Sequence, residues 1–134
     1  MYKKNFKKND KKKLKGGLRF KKLSKKSYKG KPLISIITVT YNCRNLIERT
    51  IKSVLNLSYV NIEFIIIDGK SSDGTINIIK KHNNSIDFWI SQKDRGIYNA
   101  MNKGARYANG DALFFLNAGD KLINKEFFKL IKLF

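Results

Sequence analysis

The chain has 134 residues, of which 42% are hydrophobic, so its size suits one globular domain and excludes two domains of ordinary length. Its single cysteine, Cys43, excludes an internal disulfide and favours a reducing, cytoplasmic setting. No apolar run approaches the roughly 20 residues that cross a bilayer. The formal net charge of +19 is uneven, because residues 1–31 contain 15 of the 29 basic residues and one acid, Asp10.

Residues 1–31 are rich in lysine and contain only scattered apolar side chains. Such a segment cannot bury enough apolar surface to offset the entropy lost on ordering, so we expect a disordered basic tail. Three roles are open for it: a solvated tail without a specific partner, attachment to anionic lipid, or binding to nucleic-acid phosphates. No stacking platform or groove-reading motif accompanies the charge, which disfavours nucleic acid.

From Pro32 onward, patterns typical of strands and of amphipathic helices alternate. Strands are predicted at residues 33–39, 62–67, 86–90 and 111–116, and helices at residues 44–56, after Asp73, at 97–108 and at 124–134. The alternation indicates a parallel sheet with helical crossovers. We therefore expect a doubly wound α/β domain over residues 32–134, with helices on both faces of a mainly parallel sheet.

Polar residues follow three of the predicted strands. Thr40, Tyr41 and Asn42 follow the first strand, residues 68–75 follow the second, and residues 117–120 follow the fourth. Ligands of open α/β sheets bind beyond the carboxyl ends of the strands, so these loops are the candidate binding site. Carboxylates there can accept hydrogen bonds from a nucleoside or hold Mg²⁺ or Mn²⁺ beside a diphosphate.

Four stretches resemble the family 2 inverting glycosyltransferases of GT-A (Rossmann-like) fold: ISIITVTYN, FIIIDGKSSDGT, SQKDRGIYNAMNKGARYANGD and LFFLNAGD. Their order and spacing, from Pro32 to about Asp120, are similar to the nucleotide-sugar-binding half of that family. The resemblance implies sugar transfer from a nucleotide diphosphate sugar, with uridine expected, to a glycan or lipid-linked acceptor in cell-envelope polysaccharide synthesis. It also suits a cytoplasmic enzyme, peripheral at the inner face of the cell membrane, where the basic tail would meet anionic lipid.

The resemblance implies donor contacts for residues in four loops, namely Thr40, Tyr41, Asn42, Asp68, Asp94, Arg95 and Asn117. Structural alternatives stay open for most of them. Tyr41 and Asn42 can shape a turn, and Asp68 can stiffen the Asp-Gly turn. Asp94 can cap a helix, and an exposed arginine such as Arg95 is commonly only solvated. Residue 73 is equally well explained as the cap of the helix that follows it.

The fourth stretch departs from the family's usual Asp-x-Asp motif, because it reads Asn117-Ala118-Gly119-Asp120. The resemblance implies that Asp120 binds Mg²⁺ or Mn²⁺ together with the donor diphosphate, with Asn117 as a neutral ligand or sugar contact. Inversion needs a carboxylate base, and none is identified after Asp120, so the catalytic base is unknown. We expect a truncated chain or a second chain that supplies it. Two alternative functions are an inactive nucleotide-sugar-binding fragment and a basic nucleic-acid-binding protein.

Overall fold

Strands and helices alternate along the chain from residue 34 onward, as the sequence pattern predicts. The computed structural model describes residues 14–132. A short 3-10 turn covers Leu18–Lys21. The strands and helices are β1 (Leu14–Gly16), β2 (Ile34–Thr40), α1 (Ile47–Leu55), β3 (Ile62–Asp68), α2 (Thr75–Lys81), β4 (Phe88–Ser91), α3 (Ile97–Tyr107), β5 (Ala112–Phe115) and α4 (Asn124–Ile131). None of these helices is both long enough and apolar enough to cross a bilayer.

The strands form one five-stranded sheet in the order β1-β4-β3-β2-β5. The β4–β3, β3–β2 and β2–β5 pairs are parallel, whereas β1 is antiparallel to β4. The chain moves outward from β2 to β3 and β4, then returns through α3 to place β5 on the other side of β2. The strand order therefore reverses between β2 and β5, which is where open α/β sheets bind ligands.

Both faces of the sheet are covered, which confirms the doubly wound arrangement. One face packs against α1, α2 and α4, and its buried residues include Ile51, Ile66 and Phe127. The other face packs against α3 through residues that include Ile37 and Ala100. Burial on both faces explains why β2 and β3 are almost continuously apolar. Each fully buried isoleucine contributes about 1.5–3 kcal/mol of transfer free energy.

A glycine sets the close approach of α3 to the sheet. A Cβ atom at Gly104 would collide with the side chain of Ile37 on β2, so a larger residue would push the helix outward. This contact confirms the interpretation of Gly104 as a packing residue. It also fixes the position of the loop before α3, which contributes to the candidate site.

The structure corrects the prediction of a disordered tail for residues 14–31. Leu14–Gly16 pairs with β4, and the guanidinium of Arg19 lies 2.8 Å from the Glu63 carboxylate. Glu63 is 1% exposed, and it also accepts hydrogen bonds from Ser35 Oγ (2.5 Å) and the Asn109 N–H (2.5 Å). A buried carboxylate left without a cation is costly, so Arg19 is a counter-charge of the core rather than a solvated surface group.

Lys25 plays the same part at a second buried acid. Its ammonium lies 3.1 Å from Asp87, which is 2% exposed and also accepts the Phe64 N–H at 2.7 Å. Burial raises the pKa of Asp87, and the Phe64 N–H and Lys25 oppose that rise. The folded domain thus includes residues 14–31, and residues 1–13 of the predicted tail lie outside the described residues.

Candidate functional site

The carboxyl ends of β2, β3, β4 and β5 lie at one edge of the sheet, here called the carboxyl rim, because these four strands are parallel. A cleft of about 330 Å³ opens at this rim. Its lining comes from the end of β2, the β4–α3 loop, α3 and the loop after β5: Val39, Thr40, Tyr41, Cys43, Asp94, Gly96, Ile97, Ala100, Asn117 and Ala118. Four predicted contact residues thus meet in one cleft at the point where the strand order reverses: Thr40, Tyr41, Asp94 and Asn117.

The mouth of the cleft combines an aromatic ring with a carboxylate. Tyr41 is 64% exposed. A Cβ atom placed on Gly69 would lie 2.8 Å from Asp94 Oδ2 and 3.4 Å from Tyr41 Cδ2, so these two side chains close over the Gly69 backbone. Asp94 Oδ1 accepts the Gly96 N–H at 3.0 Å. One carboxylate oxygen therefore shapes the turn before α3, while the other faces the glycine beside Tyr41.

Thr40 on the cleft lining has an unpartnered hydroxyl. The residue is 5% exposed, and its Oγ1 has no hydrogen-bond partner among the described residues. A buried hydroxyl without a partner costs free energy, and most such groups in native proteins are satisfied by protein, water or ligand. Thr40 lines the cleft, but its hydroxyl oxygen has almost no accessible surface, so the residue contributes its other atoms to the cleft wall.

Asp68 lies beneath the cleft rather than in its lining. It is fully buried, and its carboxylate accepts hydrogen bonds from Ser71 Oγ at 2.5 Å, the Ser71 N–H at 2.9 Å and Ser91 Oγ at 2.7 Å. These bonds hold the loop after β3 against the end of β4. The structure thus supports the loop-stiffening alternative, and a direct contact between Asp68 and a nucleoside stays a prediction.

Asn42 joins the loops after β2 and β3. Its backbone is left-handed (φ 49°), a conformation that asparagine tolerates better than most residues. Its N–H donates to Ser71 Oγ at 2.8 Å, and its Oδ1 accepts the Ser72 N–H at 2.9 Å. These contacts match the turn-shaping alternative for Asn42, and its predicted contact with the donor stays a prediction.

Asp73 makes a second connection between the same loops. It accepts hydrogen bonds from the Thr75 hydroxyl (2.5 Å), the Thr75 N–H (3.0 Å) and the Arg44 N–H (3.0 Å). The Thr75 hydroxyl is the main cause of the lowered pKa of Asp73. The N-cap of α2 is Gly74, so the prediction of Asp73 as the cap is wrong by one residue, and Asp73 instead holds the loop just before the helix.

The loop that carries Asp120 is attached to α1 by two residues that the sequence analysis missed. Thr50 is fully buried, and its hydroxyl donates to the Asp120 carbonyl at 2.7 Å and accepts the Gly119 N–H at 2.8 Å. Arg49 Nε donates to the Gly119 carbonyl at 2.5 Å. The signal for Thr50 was present: it is the polar member of the inward stripe that includes Ile47, Ile51 and Val54.

Asp120 and Arg95 are both exposed at the carboxyl rim. Within residues 14–132, no group of three or more His, Cys, Asp or Glu side chains could hold a metal ion, so the protein alone does not form a complete metal site. Asp120 is a hard oxygen ligand with no ion-pair partner among the described residues. This fits Mg²⁺ or Mn²⁺ held jointly with a diphosphate and waters. The Arg95 N–H donates to Asn99 Oδ1 at 3.0 Å, and its guanidinium lies on the same loop as Asp94.

The sequence profile of glycosyl transferase family 2 matches residues 35–134, which include every strand of the parallel sheet. The chain belongs to this family. An uncharacterized glycosyltransferase of Mycobacterium tuberculosis is 38% identical over 91 residues, which cover 67% of this chain and 35% of the relative. An Escherichia coli relative, UDP-Glc:alpha-D-GlcNAc-diphosphoundecaprenol beta-1,3-glucosyltransferase WfaP, is 38% identical over 89 residues (66% and 36%). This family 2 chain thus matches about a third of the length of each relative.

Two solved structures show the same fold at 24% sequence identity. The mannosyltransferase PcManGT from Pyrobaculum calidifontis, in complex with GDP-Man and Mn²⁺, has a TM-score of 0.64 and covers 68% of this chain and 28% of its own. Residues 1–349 of TarS from S. aureus, in complex with UDP-GlcNAc, have a TM-score of 0.65 and cover 75% and 30%. The GT-A fold implied by the resemblance is confirmed.

Proposed function

We propose that this family 2 domain binds a nucleotide diphosphate sugar, with a UDP carrier favoured, in the cleft at the carboxyl rim. The sugar would pass to a glycan or lipid-linked acceptor in cell-envelope polysaccharide synthesis. The observation that carries this proposal is the meeting of Thr40, Tyr41, Asp94 and Asn117 in one cleft where the strand order reverses. The names of the Escherichia coli relative and of the TarS complex, which include UDP-linked sugars, support it.

The side chains of the cleft would contact different parts of the donor. The exposed Tyr41 ring offers a face on which a base can stack, and the Asp94 carboxylate beside it can accept hydrogen bonds from the nucleoside. Thr40 would form part of the cleft wall beside Tyr41. Arg95 would pair with the diphosphate, and Asn117 would contact the sugar or the metal.

Asp120 would hold Mg²⁺ or Mn²⁺, with the donor diphosphate supplying further oxygen ligands. A divalent ion bound there neutralises charge on the diphosphate as it leaves. Thr50 and Arg49 hold the backbone of the Asp120 loop against α1, which supports a role for this loop in presenting the carboxylate. A single protein carboxylate predicts weak metal binding without nucleotide and stronger binding with it.

A second candidate is nucleotide-sugar binding without transfer. Inversion needs a carboxylate that takes a proton from the acceptor hydroxyl. After Asp120, the described residues contain one further acid, Glu126, which lies exposed on α4. None of the described residues is assigned as this base, and this candidate therefore gives the domain donor binding alone.

Titration calorimetry with UDP, with and without Mn²⁺, tests the donor site. We expect binding that Mn²⁺ strengthens, a loss of that strengthening in Asp120→Asn, and weaker binding in Tyr41→Ala. Glu126→Gln is a matched control, since it removes an exposed acid away from the cleft. Absence of UDP binding in the parent chain would overturn the proposal. Binding without hydrolysis or transfer of UDP-sugars would favour the second candidate.

We also propose that the protein is cytoplasmic and lies peripherally at the inner face of the cell membrane. The lysine-rich N-terminus supports this, because basic segments near a bilayer are attracted to anionic lipids. The ion pairs of Arg19 and Lys25 show that part of the positive charge has a structural use instead. The remaining charge has to be located on the fold before a binding surface can be named.

A further inference from the structure

A second concavity opens at the carboxyl rim beside the loops after β3 and β4. This groove, here called the lysine groove, has a volume of about 500 Å³. Its polar lining consists of lysine, serine, asparagine and glutamine side chains, and no acidic residue contributes to it. The charged members are Lys70, Lys80 and Lys93, and all three are exposed. The proposed donor site does not use any of them.

Lys70 adopts an unusual backbone conformation at this groove. Its φ of 66° lies in the left-handed region, which favours glycine and is unfavourable for a long side chain. Such a conformation persists where the surrounding structure imposes it, and it often marks a functional position. Here it places an ammonium group at the groove between the Asp68 turn and α2.

The direction of β1 places Leu14 at the same edge of the sheet as the lysine groove. Leu14 pairs with Ser91, the last residue of β4, so the chain enters the sheet at the carboxyl rim and β1 runs away from it. Leu14 itself lines the lysine groove and is 42% exposed. The 13 residues before it include seven lysines and one acid, and they connect to the domain at this point.

We propose that the lysine groove and Leu14 form a docking surface for an anionic lipid bilayer, with the carboxyl rim facing the membrane. Flexible lysine side chains suit a diffuse negative surface, whereas a discrete phosphate is better matched by the fixed fork of arginine, and no arginine lines the groove. The exposed Leu14 supplies an apolar group that can enter the lipid interface. No aromatic side chain lines the groove to stack a nucleobase, which disfavours single-stranded nucleic acid.

This orientation would turn the mouth of the neighbouring cleft toward the lipid headgroups. Tyr41 and Asp94 lie at the same rim as Lys70 and Lys93, because the strands that precede them are parallel. A molecule anchored in the bilayer would then reach the cleft without leaving the membrane surface. The docking itself does not depend on nucleotide binding and is measured without nucleotide.

The test compares two charge reversals in the full chain. Lys70→Glu/Lys80→Glu/Lys93→Glu alters the groove, and the matched control Lys26→Glu/Lys29→Glu/Lys31→Glu alters three exposed lysines at the opposite edge, next to Asn61, which precedes β3. Both variants change the net charge equally and retain residues 1–13. Co-sedimentation is measured with phosphatidylcholine vesicles that contain or lack phosphatidylglycerol. Circular dichroism confirms that each variant is folded, and the corresponding glutamine variants repeat the comparison with a smaller change of charge.

We expect the groove variant to lose on the order of 100-fold in partition onto anionic vesicles, since each lysine near the surface contributes about fivefold. The control should lose less than about tenfold, because more distant charges are screened by salt. Equal losses in the two variants, or equal binding to neutral vesicles, would overturn the proposal. If the groove variant lost more affinity for single-stranded RNA than for anionic vesicles, the partner of the groove would be nucleic acid rather than lipid.

Discussion

The acidic residues at the two ends of the sheet have different partners. At the end where the parallel strands begin, Glu63 pairs with Arg19, Asp87 pairs with Lys25, and Asp111 accepts a hydrogen bond from the Ser27 hydroxyl. All three partners belong to residues 14–31. At the carboxyl rim, Asp94 and Asp120 have no cation partner among the described residues. Arg19 and Lys25 thus neutralise Glu63 and Asp87 at one end, whereas Asp94 and Asp120 at the other end are not paired with a cation within residues 14–132.

Burial explains the difference. Glu63 and Asp87 are almost fully inaccessible, and each is paired with a counter-charge within the fold. Asp68 at the rim is equally buried, and hydrogen bonds from Ser71 and Ser91 stabilise its carboxylate instead. Asp94 is half-buried and Asp120 is exposed, so water can solvate them until a ligand arrives. Arg19 and Lys25 thus stabilise the fold, whereas Asp94 and Asp120 are the carboxylates that the proposed donor site would use.

Arg19→Met is expected to give the largest effect, a loss of about 3–5 kcal/mol in the free energy of unfolding, because it leaves Glu63 buried without a cation. Urea unfolding followed by circular dichroism measures the loss. In the double variant Arg19→Met/Glu63→Gln, most of the lost unfolding free energy should return, since no buried charge remains at this pair. Lys29→Met is the control for removal of an exposed positive charge. A loss below about 1 kcal/mol in Arg19→Met would contradict the assignment of Arg19 to the core.

A matched pair of variants separates the two ends of the sheet. Asp94→Asn should weaken UDP binding by about 10- to 100-fold, the usual effect of losing a hydrogen bond to a charged group, with little change in stability. Asp111→Asn should lower stability and leave UDP binding unchanged. Calorimetry gives the UDP affinity of each variant, and urea unfolding gives its stability. The comparison fails if Asp111→Asn weakens UDP binding as much as Asp94→Asn does.

Thr50→Val should loosen the Asp120 loop, because the Gly119 N–H loses its acceptor and the Asp120 carbonyl loses a donor. The expected cost is about 1–2 kcal/mol in stability. Mn²⁺ should also strengthen UDP binding less in Thr50→Val than in the parent chain. A purely structural role of Thr50 would not change this effect of Mn²⁺. Thr50→Ser retains the hydroxyl and should restore both properties. An unchanged Mn²⁺ effect in Thr50→Val would show that the loop does not position the metal ligand.

The smallest expected effect is a change in acid stability. The Ser27 hydroxyl and the Leu33 N–H hold the pKa of Asp111 below its ordinary value of 3.8. A lowered folded-state pKa gives stability that is present above pH 3.8 and lost as the pH falls through the folded-state pKa. The fall in unfolding free energy below about pH 4 should therefore be shallower in Asp111→Asn than in the parent chain. Urea unfolding at several acidic pH values measures it, and parallel curves would contradict this assignment.

Local features of the sequence predicted most of the framework. The alternation of apolar runs and helical stripes indicated the parallel strands and crossover helices, with boundaries correct to within a few residues. Gly104 was also interpreted correctly, because a tight helix contact depends on the absence of a side chain. Patterns that repeat over a few residues can be recognised without knowing the fold.

Only the tertiary structure decided what residues 14–31 and Thr50 do. Composition alone marks lysines and arginines as solvated, since it does not show that Arg19 lies 2.8 Å from a carboxylate 44 residues later in the chain. Thr50 similarly contacts Gly119 and Asp120, which lie 69 and 70 positions later in the chain. The sequence by itself determined the order of the strands along the chain and the loops that follow them. The fold decided which charges meet, because the energy of a buried charge depends on distance in space rather than on separation along the chain.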